Sequence, residues 1–358
     1  MSSLTTSPSA ASGSTPSPSA ASSAPSSPRP HRVTRATPLS LAAAVAGLII
    51  VAVIASMPWW AERSLIRLAT EFLCVLALAQ MWNLLAGYGG LASMGQQAFV
   101  GIGAYGLVIF GLMGGVPVFW VIPLAGVAGA LLAIPTALIT FRLRGAYFAI
   151  GTWVMAEVFR LVVTNLPQVS GGSGLSIAPL LSDIDPDDRF AQSLWWALAL
   201  GVGGTMALYG LLRSRWGLAL TAVRDSEVAS ETLGVSVPRI KWAVYIVAAG
   251  AAAMVGALLF ITKLRVSPDA AFSMEWTSLM FFAVVIGGIG TLEGPIIGAL
   301  VYFALREWLS DHGSWYLIVL GTLTVGIVLW APGGLWGSLT KRWDLHLFPV
   351  RRRVMTKD

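Results

Sequence analysis

Charge is scarce in this chain. Of its 358 residues only 11% are Asp, Glu, Lys or Arg, where a soluble domain carries about 25%. A surface bathed entirely in water is thereby excluded. Cysteine is almost missing: Cys74 stands alone inside an apolar run, so no intrachain disulfide can form, and it is expected to act as a small packing residue. Histidine is sparse, and His31, His312 and His346 all lie outside the apolar runs. No His/Cys/carboxylate group has the spacing of a metal site. No Ser-His-Asp set can be drawn, and no Gly-x-x-x-x-Gly-Lys-Ser/Thr loop is present to cradle a nucleotide. The chain is therefore expected to be no enzyme, to carry neither metal nor cofactor, and to leave any ATP hydrolysis to another subunit. Acidic residues are absent until Glu62.

What is present is apolar length. Hydrophobic residues make up 56% of the chain, gathered in runs of the roughly 20 residues that cross a bilayer as a helix. The expected fold class is all-α: a polytopic membrane protein of about ten transmembrane helices in a bacterial cell (inner) membrane. The spans are read at 39–57, 65–86, 91–112, 117–140, 146–165, 194–212, 242–262, 276–292, 295–309 and 315–330. Pro58 with Trp59 and Trp60 closes the first as an interfacial anchor. Segment 1–38, built from Ser, Pro, Ala and Thr with a few Arg, is expected to be a disordered cytoplasmic tail. Residues 39–334 form the membrane domain, and 335–358 a basic cytoplasmic tail.

The basic residues orient this layout. With both termini cytoplasmic, 16 of the 23 Lys and Arg fall inside, the bias expected of cytoplasmic loops. The net charge of +6 then reflects anionic lipid and not nucleic acid.

Three features carry functional weight. Glu71 and Glu157 are acids within spans, each with an Arg one turn away, Arg67 and Arg160. They suit either a proton relay, as an ion-coupled carrier acting alone would need, or local ion pairs near the outer boundary. The third span is rich in glycine: Gly89, Gly90, Gly95, Gly101 and Gly103 permit close helix crossings or a broken helix. Tyr88, Ser93, Gln96 and Gln97, with Glu157, are the polar candidates for a translocation path. The stretch 89–94 is echoed at 287–292, where Gly287, Gly288 and Gly290 precede Gly294; it is either a repeat of transporter halves or the chance likeness of two glycine turns. Finally, loop 213–239 contains a short helix. Asp225 or Ser226 caps its start, Glu227 sits in its first turn, Gly234 ends it and Pro238 forbids its continuation. Such a helix can dock on a soluble partner or lie on the membrane surface.

Motifs in this order resemble those of a known family. Glu227-Val228-Ala229 followed by Gly234 resembles the Glu-Ala-Ala…Gly loop of ABC importer permeases, with Val228 in place of the first Ala. The wider stretch 215–235 is similar to the M-type permease of branched-chain amino acid importers. So are 87–105, 142–150 and 285–295. Gln96 and Gln97 replace a Gly-His pair of many members, and a neighbouring branch is associated with urea and short amides. The resemblance spans about residues 65–334. It implies import of branched-chain or related hydrophobic amino acids, two cytoplasmic ABC ATPase subunits, a second related permease chain and an extracytoplasmic binding protein. Arg224, Asp225, Glu227, Ala229, Leu233 and Gly234 would form the ATPase-coupling loop.

Overall fold

The computed structural model describes residues 38–169, 172–309, 315–331 and 333–343. Nearly all of segment 1–38, both chain ends and residues 344–358 of the basic tail lie outside the described residues. The architecture is all-α, as the apolar runs require: inside lipid the backbone must satisfy its own hydrogen bonds, and a helix does so within one segment.

In chain order the helices are α1 (Pro38–Ser56), α2 (Arg63–Asn83), α3 (Gln97–Gly106), α4 (Val118–Thr140), α5 (Ala146–Thr164), α6 (Pro186–Leu198), α7 (Gly204–Arg213), α8 (Arg215–Asp225), α9 (Glu227–Thr232), α10 (Val237–Lys263), α11 (Pro268–Ala271), α12 (Met274–Gly287), α13 (Gly294–Trp308), α14 (Trp315–Trp330) and α15 (Gly334–Trp343). Wide turns of the π type extend α2 over Leu84–Tyr88 and α3 over Leu107–Met113, and join α6 to α7 over Ala199–Gly203. Two short strands, β1 (Leu175–Ser176) and β2 (Arg265–Val266), pair antiparallel and tie the loop after α5 to the end of α10.

Seven helices among the described residues are long and apolar enough to cross a membrane, and the apolar helices Ala44–Trp59 and Gln97–Met113 are shorter. Three elements depart from the ten spans read in the sequence. The third span does not begin at residue 91: residues 89–96 are not helical, and α3 starts only at Gln97. Span 276–292 stops at Gly287, and α13 has 15 residues, too few for a full crossing at 1.5 Å each. The sixth span begins earlier than residue 194. Asp185 caps the N–H of Asp187 at 2.8 Å, and Asp187 and Asp188 occupy the first turn, so acids that look like loop residues start the helix. In addition, α15 makes the first part of the presumed C-terminal tail helical.

The core is built around α10. Its Gly250 and Met254 lie against Gly126 of α4, its Ala249 and Ala253 against Gly129, and its Gly256 against the Val100 carbonyl of α3. Gly103 of α3 faces the Ala253 carbonyl so closely that any Cβ would collide with it. Close backbone approach substitutes here for the hydrophobic effect, which gives no drive between helices already surrounded by hydrocarbon. Large apolar side chains point outward instead, among them Leu131 and Leu138 on α4, Leu161 on α5 and Val325 and Leu329 on α14, where lipid can cover them. Trp59 and Trp60 are 76% and 60% exposed at the end of α1, as an interfacial pair should be.

The crossing yields a stability prediction. Gly103→Leu forces α3 away from α10 and costs at least the about 1–3 kcal/mol of an overpacked core. A thermal unfolding scan of purified protein in detergent should show a lowered midpoint or no folded fraction, whereas Gly210→Leu, with nothing within 4 Å of its added Cβ, should unfold as the parent does.

Candidate functional site

The two non-helical stretches, 89–96 and 288–293, meet through the end of α2. Gln80 and Asn83 are fully buried there. Gln80 Nε2 donates to the Leu292 carbonyl at 2.9 Å. Asn83 reads the opposite break twice: its Nδ2 donates to the Thr291 carbonyl at 2.7 Å, and its Oδ1 accepts from the Gly290 N–H at 2.8 Å. Thr291 secures the same turn, donating to Gly288 O at 2.8 Å and accepting from Gly294 N at 3.0 Å at the start of α13. Gly290 has φ +74°, a conformation other residues rarely adopt. Gly87 packs on it with no room for a side chain, since a Cβ would lie 2.6 Å from Gly290 N. The two glycine turns that echo each other in sequence are thus joined in space.

The first break is equally well satisfied. The Trp82 indole donates to Ser93 O at 2.9 Å, and Met94 N donates to Thr152 Oγ1 of α5 at 3.0 Å. Ser93 Oγ accepts from Gly95 N at 3.3 Å and lies 3.5 Å from Gln96 Nε2. Gln97 N donates to Thr277 Oγ1 of α12 at 3.2 Å, and the Thr277 hydroxyl donates to Gln97 Oε1. Tyr88, at the end of α2, is 5% exposed, while Ser93, Gln96 and Gln97 are bonded within or across the break and are buried at 2% exposure or less. The polar atoms of Ser93, Gln96 and Gln97 hold the break in place. Among the remaining glycines, Gly95 lies against the Thr152 carbonyl, Gly101 against the Phe272 ring, and Gly287 and Gly294 against one another. Gly288 borders Gly333 and Trp336 at the start of α15. Gly89 and Gly90 meet no neighbouring spanning helix: a Cβ on Gly89 would touch its own Leu85 carbonyl, and one on Gly90 would approach Arg224 at 3.9 Å.

The segment 213–239 forms two helices, with the kink at Ser226. That residue ends α8, and its Oγ accepts from Ala229 N at 3.2 Å, capping α9. Gly234, at φ +81°, closes α9 with Gly234 N to Glu231 O and Val235 N to Ser230 O, both 3.0 Å, a left-handed helix stop. Pro238 then begins α10. Leu220 and Val223 of α8 are buried, while Leu218, Val228 and Leu233 are 72%, 75% and 79% exposed. Glu227 pairs with Lys241 at 2.5 Å, and Ala229 lies on α9 beside it. Arg224 donates to Asp225 Oδ1 at 3.2 Å and, from Nη1, to the Gly87 carbonyl at 3.0 Å.

The family described as branched-chain amino acid transport system / permease component matches residues 64–328, from the first turn of α2 into α14. The chain belongs to this family. It is a multi-pass inner-membrane permease, similar to the high-affinity branched-chain amino acid transport system permease protein LivM of Salmonella typhimurium, and likewise to that of Escherichia coli. Identity to each is 29%, over 80% of this chain and 73% of the relative. The fructose import permease protein FruG of Bifidobacterium longum is 25% identical over 72% of this chain and 78% of its own length. No solved structure matches the chain.

Two acids read as relay candidates in this permease stand apart from the breaks. Glu157 is paired with Arg160 at 2.5 Å, and Arg160 also holds Asp269 of α11 at 2.7 Å. The side chain of Glu157 is 45% exposed, so it does not line the polar cluster around Gln96. Glu71 takes Arg306 of α13 as its partner at 2.6 Å, in place of the neighbouring Arg67. Conversely, Gln80, Asn83, Thr152, Thr277 and Thr291 hold the breaks yet were not singled out from the sequence. Each acts on residues 58 to 212 positions away or, for Thr291, within its own turn. Only an amide inside an otherwise apolar run, as at Gln80 and Asn83, was a usable signal.

Asn83→Leu keeps the number and branching of side-chain heavy atoms but strands the Gly290 N–H and the Thr291 carbonyl. Each buried group left unpaired costs about 1–3 kcal/mol. Thermal unfolding in detergent should register a clearly larger loss for this variant than for Asn165→Leu, whose amide bonds its own helix at an exposed site.

Proposed function

We propose that this chain is the membrane permease of an ABC importer that carries branched-chain or related hydrophobic amino acids inward. Two ATPase subunits dock on α8 and α9, a second permease chain completes the pathway, and a binding protein delivers substrate at the opposite face. The observation that carries this reading is the α8–α9 pair: capped at both ends, held to the body by buried Leu220 and Val223, and offering Leu218, Val228 and Leu233 to solvent. Exposed apolar side chains on a fixed helix are a surface for a partner's groove. Family membership supplies the rest, with the relatives named for branched-chain amino acid transport standing for the substrate class.

In the proposed cycle, ATP draws the ATPase subunits together, α8 and α9 shift with them, and the helices re-pack to open the path toward the basic end. The buried side chains around the breaks are mostly neutral amides and hydroxyls. That fits a pathway with little affinity of its own, in which an outer binding protein selects the amino acid. A urea or short-amide cargo would use the same machinery, and the likeness to a fructose import permease shows that related chains serve other solutes. Calorimetry of the partner binding protein with Leu, Ile, Val, urea and acetamide separates these cargoes, and a tight complex with urea alone would displace the amino acid reading.

The rival mechanism is an ion-coupled carrier acting alone. Both relay acids are ion-paired, Glu71 to Arg306 and Glu157 to Arg160, so each already has a basic partner. In proteoliposomes holding the full complex, Glu157→Gln should import to within about twofold of the parent. Glu227→Lys, which places two cations together at Lys241 and reverses the charge at the α9 N-terminus, should lose ATPase subunits and import together. Uptake by the chain alone down a proton gradient would overturn the proposal.

A further inference from the structure

We propose that Arg224 is the strut through which movement of α8 and α9 reaches both helix breaks, which makes it a positioning residue for the inner gate. The inference rests on the import reading above and adds to it the residue that transmits the motion.

The geometry points to this one side chain. Arg224 sits in the last turn of α8, two residues before the Ser226 kink and three before α9 begins. Its Nη1 donates to the carbonyl of Gly87, in the π turn where α2 gives way to the first break. The same nitrogen lies against Gly290 of the second break, where a Cβ would come within 2.9 Å of it. A Cβ on Gly90 would lie 3.9 Å from the Arg224 Cα. One guanidinium thus touches the ends of both interruptions, while its Nε holds Asp225. Only the planar fork of arginine offers donors in two fixed directions at once. Beyond Gly87 the connection continues through buried groups. Gly87 packs directly on Gly290, and Asn83, one turn earlier in α2, is hydrogen-bonded to Gly290 and Thr291. A displacement of α8 therefore cannot move one break without the other.

The alternative role for Arg224 is static: a cap for the exposed carbonyls at the end of α2, with no part in transmission. The two roles differ in what survives its removal. A cap affects folding. A strut affects how much transport each ATP produces and whether the break responds to nucleotide. Ala92 is exposed within the first break, and Cys74 is fully buried, so Ala92→Cys offers a single reactive thiol beside the strut.

The test uses the assembled importer in proteoliposomes, with ATPase subunits, partner permease and binding protein. Arg224→Ala is expected to retain its ATPase subunits and to hydrolyse ATP, while uptake per ATP falls about tenfold, within the usual range of coupling between sites. Maleimide labelling of Ala92→Cys, which changes with ATP in the parent, should become insensitive to ATP. Arg224→Lys keeps the charge but loses the fork, and should show the same two effects. If Arg224→Ala fails to accumulate, Arg224→Lys decides by the same readouts. Uptake per ATP within about twofold of the parent, nucleotide-responsive labelling of Ala92→Cys, or loss of ATPase subunits on changing Arg224 would each overturn the strut. A parent chain that binds no ATPase subunit, or that transports without ATP, would instead overturn the import reading, and this is measured before any variant.

Discussion

A chain that leaves the helix inside an apolar body must find partners for every N–H and C=O it frees, and here the amide of Asn83 answers that demand for the break between α12 and α13. Its Nδ2 and Oδ1 take one carbonyl and one N–H, Thr291 O and Gly290 N. Asp could not donate, and an apolar residue could do neither. Gln80 adds the Leu292 carbonyl one turn earlier. With these groups satisfied, Gly87 can lie on Gly290, and the end of α2 becomes the fixed point around which both breaks, α8 and the start of α15 are arranged. Removing the amide would leave Gly290 and Thr291 to open toward lipid or water, and the remaining contacts would lose their frame.

Packing elsewhere follows from the solvent. In water, α4 and α10 could be held by burying leucines; in hydrocarbon that gains little. The crossing instead uses Gly126 against Gly250, Gly129 against Ala249 and Ala253, and Gly256 against Val100, so that many weak dispersion contacts form at short range. The leucines and valines that a soluble protein would place in its core face outward on α4, α5 and α14. Several charges are held in pairs, among them Glu71–Arg306, Arg63–Asp187 and the Arg160 cluster.

Hydropathy made the helical class and most spans legible, because a run of twenty apolar residues has one stable form in lipid. Turn chemistry made α9 legible too: Ser226, Glu227 and Gly234 act locally, and local rules apply to them. The breaks were legible only as one of two alternatives, a broken helix or a close crossing at the third-span glycines, and their partners were not. Residues 89–96 are as apolar and glycine-rich as a helix crossing would be, and nothing in their own sequence says that Trp82, Thr152 and Thr277 will satisfy an extended backbone there. The start of α6 was missed for the opposite reason, since Asp185, Asp187 and Asp188 look like loop although acids favour a helix N-terminus. Partners chosen across the fold stayed hidden: Glu71 lies one turn from Arg67, yet Arg306, 235 positions on, binds it. So did Gly126, Gly129 and Gly256, which resemble any glycine of a spanning helix until a second backbone is placed beside them.

The distribution of polarity then argues for where energy enters. A carrier that couples to protons needs an acid that can lose and regain its charge on the path; among the described residues the breaks hold one buried acid, Glu293 of the second, amid Ser93, Gln96, Gln97, Asn83 and threonines that are bonded within or across the breaks. Their hydrogen bonds tie the two breaks to α2, α5 and α12. A centre tied in this way is moved most directly from outside, and the part of the chain best shaped for that lies at 215–234. There the apolar side chains of Leu218, Val228 and Leu233 stand away from the body of the protein. Each would gain about 1.5–3 kcal/mol on full burial, enough together to hold a partner while Arg224 keeps the same segment bonded to Gly87. On the proposed reading, scarcity of charge within the helices and exposure of apolar surface outside them are two sides of one design: the chain carries the passage, and its partner carries the drive.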